Sequence, residues 1–175
     1  MGKRSNFERR ERDYYTTPMS AVLPLLPHLQ SNTVFIEPCA GNGRLIDHLQ
    51  AHGHRCTWGI DIEPVWPIQR VGDATTMQYN LKEGNEYFIT NPPWDRKILH
   101  PIIENLSNQL PTWLLFDADW MHTKQATPYL TRLEKVVSIG RVKWIEGTKS
   151  VGKDNCCWYL FWHKNTLQTQ FYGRT

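Results

Sequence analysis

The chain has 175 residues, of which 40% are hydrophobic and 21% charged. That balance excludes a disordered polymer and is enough for one domain with a sizeable core. A net charge of +3 excludes neither nucleic acid nor protein partners, and no run approaches the roughly 18 apolar residues of a membrane helix.

The N-terminal stretch "MGKRSNFERRERDYY" has no apolar core, so it is not a secretory signal. Asn6 stands where a myristoylation pattern needs Ser or Thr. Residues 1–12 form a basic arm, with Lys3, Arg4, Arg9, Arg10 and Arg12 against Glu8 and Glu11. This composition fits a solvated arm and a phosphate-touching arm equally. Apolar strand-like runs follow at 33–38, 56–61, 86–91 and 112–117. Between the first two, residues 43–53 place Leu45, Ile46 and Leu49 at helical spacing, and Gly53 ends the pattern. Residues 96–110 put Ile98, Leu99, Ile102, Ile103 and Leu106 on one face, with Pro101 predicting a kink or a late start. Residues 118–133 read as a helix with Asp119 as N-cap. Runs at 136–145 and 155–163 read as antiparallel strands at one sheet edge, and 166–175 as a tail. Strands alternating with helices predict an α/β fold, a mostly parallel sheet with helices on both faces.

Cys39, Cys56, Cys156 and Cys157 form no CxxC pair, which favours a reducing, cytoplasmic setting over a disulfide framework or a zinc site. His52 and His54, two apart, are a weak metal signal, and no metal is expected.

Ligands of such sheets bind at the carboxyl ends of the strands. Here those ends read Glu37-Pro38-Cys39-Ala40-Gly41-Asn42-Gly43, then Asp61, then Gly72-Asp73, then Asn91-Pro92-Pro93-Trp94. Gly41 and Gly43 let backbone approach a ligand closely, and the following helix start offers free N–H groups. The dinucleotide fingerprint needs a small residue where Ile46 stands, and the phosphate loop's Gly-Lys-Ser/Thr is missing. Glu37, Asp61 and Asp73 repel phosphates and suit a cationic ligand without them. Asp61, 20 residues after Gly41, is placed to accept ribose hydroxyls; Asp73 can accept from an adenine amine; Ile62 and Ala74 offer apolar surface to its faces. Each aspartate alone also reads as a turn residue.

In this order, "EPCAGNG", "GIDIEP", "VGDAT" and "NPPW" resemble the Rossmann-like, class I S-adenosylmethionine-dependent methyltransferases. More narrowly they resemble the amino-methyltransferases with Asn/Asp-Pro-Pro-aromatic, chiefly the adenine-specific (N6) DNA methylases. The resemblance covers about residues 13–163. It implies a seven-stranded sheet with an antiparallel edge strand, a catalytic domain over 13–165, and S-adenosylmethionine as cofactor. "DYYTTP" (13–18) resembles the segment that meets the methionine part of that cofactor, which makes Tyr15 and Thr16 candidates. With Glu37, Pro38, Cys39, Ala40, Gly41, Gly43, Asp61, Ile62, Asp73, Ala74 and Asn91 they form the expected cofactor set.

The amine of adenine is a poor nucleophile because its lone pair is delocalised, while a sulfonium methyl is a strong electrophile, so positioning matters more than a base. Asn91 Oδ1 and the Pro92 carbonyl are expected to hold the amine hydrogens, Pro93 to stiffen the loop, and Trp94 to stack on the base. In duplex DNA the base must first leave the helix. The family usually carries Tyr or Phe where Trp94 stands, which leaves the target base open. Lys149 and Lys153, in the Gly- and Lys-containing stretch 146–155, are phosphate candidates or a solvated loop. Asp117 and Asp119 resemble an acidic spot near the family's substrate cleft, although a helix cap is the stronger reading.

The leading expectation is methylation of the adenine amine in DNA, with DNA favoured over RNA. The alternatives are adenine in RNA, cytosine N4, a protein glutamine amide, or a non-catalytic cofactor-binding partner subunit. The chain past NPPW leaves no room for a separate target-recognition domain, which predicts a short or loose target site or a partner that supplies specificity. A phage-like or bacterial setting fits that compactness by analogy.

Overall fold

The computed structural model describes residues 16–65, 69–79, 87–145 and 151–174. Eight strands are assigned among them: β1 (Val34–Glu37), β2 (Arg55–Asp61), β3 (Gln69–Val71), β4 (Tyr87–Thr90), β5 (Thr112–Asp117), β6 (Leu133–Arg141), β7 (Asn155–Phe161) and β8 (Gln170–Tyr172). They form one sheet in the order β3-β2-β1-β4-β5-β7-β6-β8. Only β7 runs against its neighbours, β5 and β6; the other pairings are parallel.

Strands β1, β2, β4 and β5 match the four apolar runs of the sequence. Their side chains alternate between two cores, as strand geometry requires. Phe35, Ile89, Trp113 and Leu115 face one core, which also holds Leu45, Ile46 and Leu49 of α2 (Arg44–Ala51) and Ala21 and Val22 of α1 (Met19–Val22). Ile36, Phe88, Leu114 and Phe116 face the other, with Leu99, Ile102, Ile103 and Leu106 of α3 (Arg96–Ser107). The sheet is therefore covered on both faces, which is what near-continuous apolar strands demand.

Three details differ from the sequence reading. The antiparallel strand β7 lies two places inside the sheet, because β6 and then β8 pair beyond it. Part of the stretch read as a tail is thus an eighth strand, in parallel register with β6 from Lys135↔Gln170 to Val137↔Tyr172. Residues 118–133 are not one helix. Single 3₁₀ turns at Ala118–His122 and Lys124–Ala126 lead into the short α4 (Thr127–Leu130), and β6 begins at Leu133. Thr123, with φ −89° and ψ 149°, breaks the helical path, and Pro128 starts the next turn. Asp119 is consequently not the N-cap of a long helix. Pro101 does not delay α3 either: the helix starts at Arg96, where the Asp95 side chain accepts from the Lys97 N–H, and runs on through Pro101.

The chain steps outward from β1 to β2 and β3, then returns to place β4 on the other side of β1. This reversal opens a crevice at the carboxyl ends of β1, β2 and β4.

Candidate active site

A cavity of about 730 Å³ occupies that crevice. Of the residues singled out in the sequence, Thr16, Glu37, Pro38, Cys39, Ala40, Gly41, Asp61, Ile62, Asp73, Ala74, Asn91 and Pro93 line it. Gly43 caps α2 behind the loop, Pro92 is buried, and Trp94 lies outside the lining. Lys153 is exposed between β6 and β7, away from the cavity. Tyr15, Lys149 and the arm 1–12 lie outside the described residues.

The glycine-containing loop is built by its own backbone. Gly41 and Gly43 have φ of 51° and 77°, where a side chain is strained. The Gly43 N–H donates to the Ala40 carbonyl at 2.7 Å, and the Ala40 N–H to the Ile60 carbonyl at 2.8 Å. Asp61 ties the loop to β2: its Oδ2 accepts the Gly41 N–H at 2.8 Å and its Oδ1 accepts the Glu63 N–H at 2.9 Å. Each carboxylate oxygen keeps capacity for a further donor. Asp73 accepts from the Thr75 N–H and hydroxyl at 2.9 and 2.7 Å, a local turn that leaves its other oxygen for a ligand.

The lining contains Glu37, Asp61, Glu63 and Asp73 and, among the described residues, no Lys, Arg or His. Glu37 is the extreme case. It is 2% exposed, and its Oε2 has no hydrogen-bond partner among the described residues. Burial pushes its carboxyl well above the usual range, and the charges of Asp61 and Asp47 add to the shift; the backbone N–H of Ile46 opposes it. Burial also raises the Cys39 thiol, with the nearby acids adding to it, so Cys39 is an inert wall rather than a nucleophile. All four cysteines are free, and no group of three or more His, Cys, Asp or Glu among the described residues is placed to hold a metal.

The Asn91 loop borders this cavity. The Asn91 Nδ2 donates to the Thr17 hydroxyl at 3.2 Å, which orients the amide oxygen away from Thr17. Thr16 in turn accepts from the Asn42 side chain at 3.3 Å, so the segment before α1 laces the glycine loop to the Asn91 loop. Sequence reasoning found Thr16 but missed Thr17 and Glu63, although both adjoin residues it had named. The Trp94 indole N–H donates to the Leu115 carbonyl at 3.2 Å and approaches Asn91 Oδ1 at 3.4 Å. Its ring packs on both cores and meets Trp144 edge-on, with centroids 5.6 Å apart at 79°. Asp117 ends β5 and pairs with Arg96 at 2.7 Å. Asp119 is exposed in the turn that follows.

No family model matches the sequence, and no curated protein is similar to it at the level of sequence. Solved structures do match. A TehB-like SAM-dependent methyltransferase from Corynebacterium glutamicum is 15% identical with a TM-score of 0.54, over 82% of this chain and 86% of that one. The methyltransferase subunit of a type I restriction-modification system from Streptococcus thermophilus is 8% identical with a TM-score of 0.60; the match covers 91% of this chain but 47% of that subunit. A dimethyladenosine transferase from Plasmodium falciparum is 16% identical with a TM-score of 0.55, over 84% and 62%. The chain has the fold of the SAM-dependent methyltransferases.

Proposed function

We propose that the chain transfers a methyl group from S-adenosylmethionine to the exocyclic amine of adenine in DNA. The observation that carries this reading is a phosphate-hostile cavity, lined by four carboxylates and no described cation, that opens directly onto Asn91 and Pro93. Such a lining fits a cationic ligand without phosphates and opposes a dinucleotide. When bound, the cofactor supplies an electrophilic methyl group on a cationic sulfur. Asp61 accepts its ribose hydroxyls, Asp73 the amine of its base, and Ile62 and Ala74 flank that base. Glu37, Thr16 and Tyr15 attend the methionine end.

Asn91 Oδ1 and the Pro92 carbonyl accept the two hydrogens of the target amine and aim its lone pair. The amine nitrogen would form the new N–C bond as the bond between the methyl carbon and the sulfonium sulfur breaks, its electron pair returning to sulfur as a neutral thioether, and the extra proton on nitrogen would leave to solvent. These fixed dipoles stabilise the positive charge that develops on nitrogen. Trp94 reaches the base from a ring already braced by Trp144. Its indole N–H, which Tyr or Phe would lack, points back at Asn91 Oδ1 and steadies that acceptor.

The polymer is suggested by charge at the other end of the same sheet edge. Arg141, Lys143 and Lys153 are exposed where β6 ends and β7 begins, and Arg174 is exposed just past β8. The one described carboxylate in these stretches is Asp154. Exposed cations along this half of the edge suit a phosphate backbone more than a protein amide. One neighbour's name places it in a restriction-modification system and another's names dimethyladenosine, which is compatible with an adenine acceptor.

The test is transfer of a radiolabelled methyl group to duplex DNA, single-stranded DNA and RNA, followed by nucleoside analysis. Labelled N6-methyladenine from DNA is expected. Label in RNA adenine alone moves the substrate to RNA, and label in no nucleic acid overturns the reading.

A further inference from the structure

Pro92 and Pro93 donate no backbone hydrogen bond, so the loop between β4 and α3 depends on side chains to hold its place. Trp94 of that loop and Arg96, the first residue of α3, reach the same strand. The Trp94 N–H donates to the Leu115 carbonyl at 3.2 Å, and Arg96 Nη2 donates to Asp117 Oδ2 at 2.7 Å, two residues further along β5. Asp117 is itself held from β7, where the Tyr159 hydroxyl donates to the Asp117 carbonyl at 3.0 Å. The ion pair is largely shielded, with side chains 28% and 15% exposed, so it is stronger than a surface pair.

As a device for stability the pair is poor. Arg96 Nη1 is buried with no acceptor among the described residues, a cost that a simple apolar contact would avoid. What the pair does provide is geometry. Arg96 stands five residues after Asn91 and two after Trp94, and neither Arg96 nor Asp117 lines the cavity. We propose that Arg96 and Asp117 form a positioning clamp, which fixes the Asn91–Trp94 loop against β5 so that the two amine acceptors meet the methyl donor in register. The claim rests on the transferase reading and adds to it two residues that lie outside the cavity lining.

The experiment compares wild type, Arg96→Ala, Arg96→Lys, Asp117→Ala and the double alanine variant. Turnover, substrate KM, cofactor affinity by calorimetry and thermal midpoint are measured for each. A misplaced loop is expected to lower kcat by roughly tenfold or more. Cofactor affinity should stay within about twofold, Arg96→Lys should recover most of the rate, and the double variant should be no worse than either single one. Unchanged kcat in Arg96→Ala overturns the clamp. So does a loss in which cofactor affinity falls in step with kcat, or one that Arg96→Lys fails to recover. If wild type methylates nothing, the transferase reading fails by itself. The clamp is then read from the Trp94 indole N–H, assigned by its loss in Trp94→Phe: faster hydrogen exchange in Arg96→Ala supports it, and unchanged exchange overturns it.

Discussion

The two halves of the sheet's carboxyl edge are built to opposite electrical specifications. On the β3-β2-β1-β4 side, carboxylates surround a cavity without a described cation, and backbone N–H groups are drawn onto Asp61. On the β5-β7-β6-β8 side, aromatic rings and exposed cations prevail, and Asp117, the carboxylate that ends β5, is consumed by Arg96. Asn91 sits at the seam, tied to the first half through Thr17 and approached from the second by Trp94. On the proposed reading, one fold presents a negative socket to a cationic donor and a positive shelf to a polyanionic acceptor. The charges are separated by topology, because each half is fed by different loops.

The seam should be the most sensitive place. Asn91→Ala is expected to lower methyl transfer about 10²–10³-fold, the usual cost of one preorganised polar group. Cofactor affinity should change little, because Asn91 is asked mainly to hold the amine. Calorimetry showing an equal loss of cofactor binding would make Asn91 part of the scaffold instead.

Within the acidic half, Asp61→Ala removes the acceptor of both the Gly41 and the Glu63 N–H. Cofactor affinity should fall roughly tenfold to a hundredfold, because a hydrogen bond to a charged carboxylate contributes about 1.5–3 kcal/mol. Asp61→Asn should lie in between. Unaltered affinity in Asp61→Ala would show that the loop holds itself and that this carboxylate takes no part in binding.

Glu37 gives the same half a pH signature. Its carboxyl is raised above its ordinary 4.5, so the folded state binds a proton that the unfolded state releases. Its contribution to stability is complete below that ordinary value and is lost as pH rises through the raised one. Wild type should lose stability over that window, and Glu37→Gln should show a flatter profile. A cationic ligand favours the ionised carboxyl, so cofactor affinity should rise with pH across the same window in wild type but not in Glu37→Gln. Parallel profiles for the two proteins would remove Glu37 from the account.

The smallest effects belong to the cationic half. Arg174→Ala or Lys143→Ala should weaken binding to DNA of any sequence and reduce the slope of log affinity against log salt by about one each. Cofactor affinity should not move. Identical salt slopes in wild type and both variants would detach this shelf from nucleic acid.

Most of the acidic half was legible in the sequence, and less of the cationic half. Strands β1, β2, β4 and β5 announce themselves because a strand covered on both faces is apolar at nearly every position. The ends of these strands then fall where polar residues interrupt, so Glu37, Asp61 and Asn91 could be placed in one crevice by order alone. Residues 118–133 misled because their composition suits a helix, while Thr123 and Pro128 break it locally. The eighth strand gave little notice: Gln170, Phe171 and Tyr172 are all exposed, so burial leaves no alternation to read. Pairing with β6 alone makes them a strand.

By itself, then, the sequence determined the layered α/β plan and the crevice residues, since both follow from local rules: apolar periodicity, glycine at left-handed positions, proline at strand ends. Tertiary structure decided who partners whom. Asp61 could be assigned to a ligand from its position, but that it also binds the Gly41 N–H depends on how β1 and β2 align. Trp94 reads as a free aromatic plate until Leu115 and Trp144 are brought beside it, and Arg96 as a helix-surface cation until β5 presents Asp117. Such contacts join residues 20 to 50 positions apart. Nothing in the local chain encodes them, because they arise only when the packed sheet brings separate loops to the same edge.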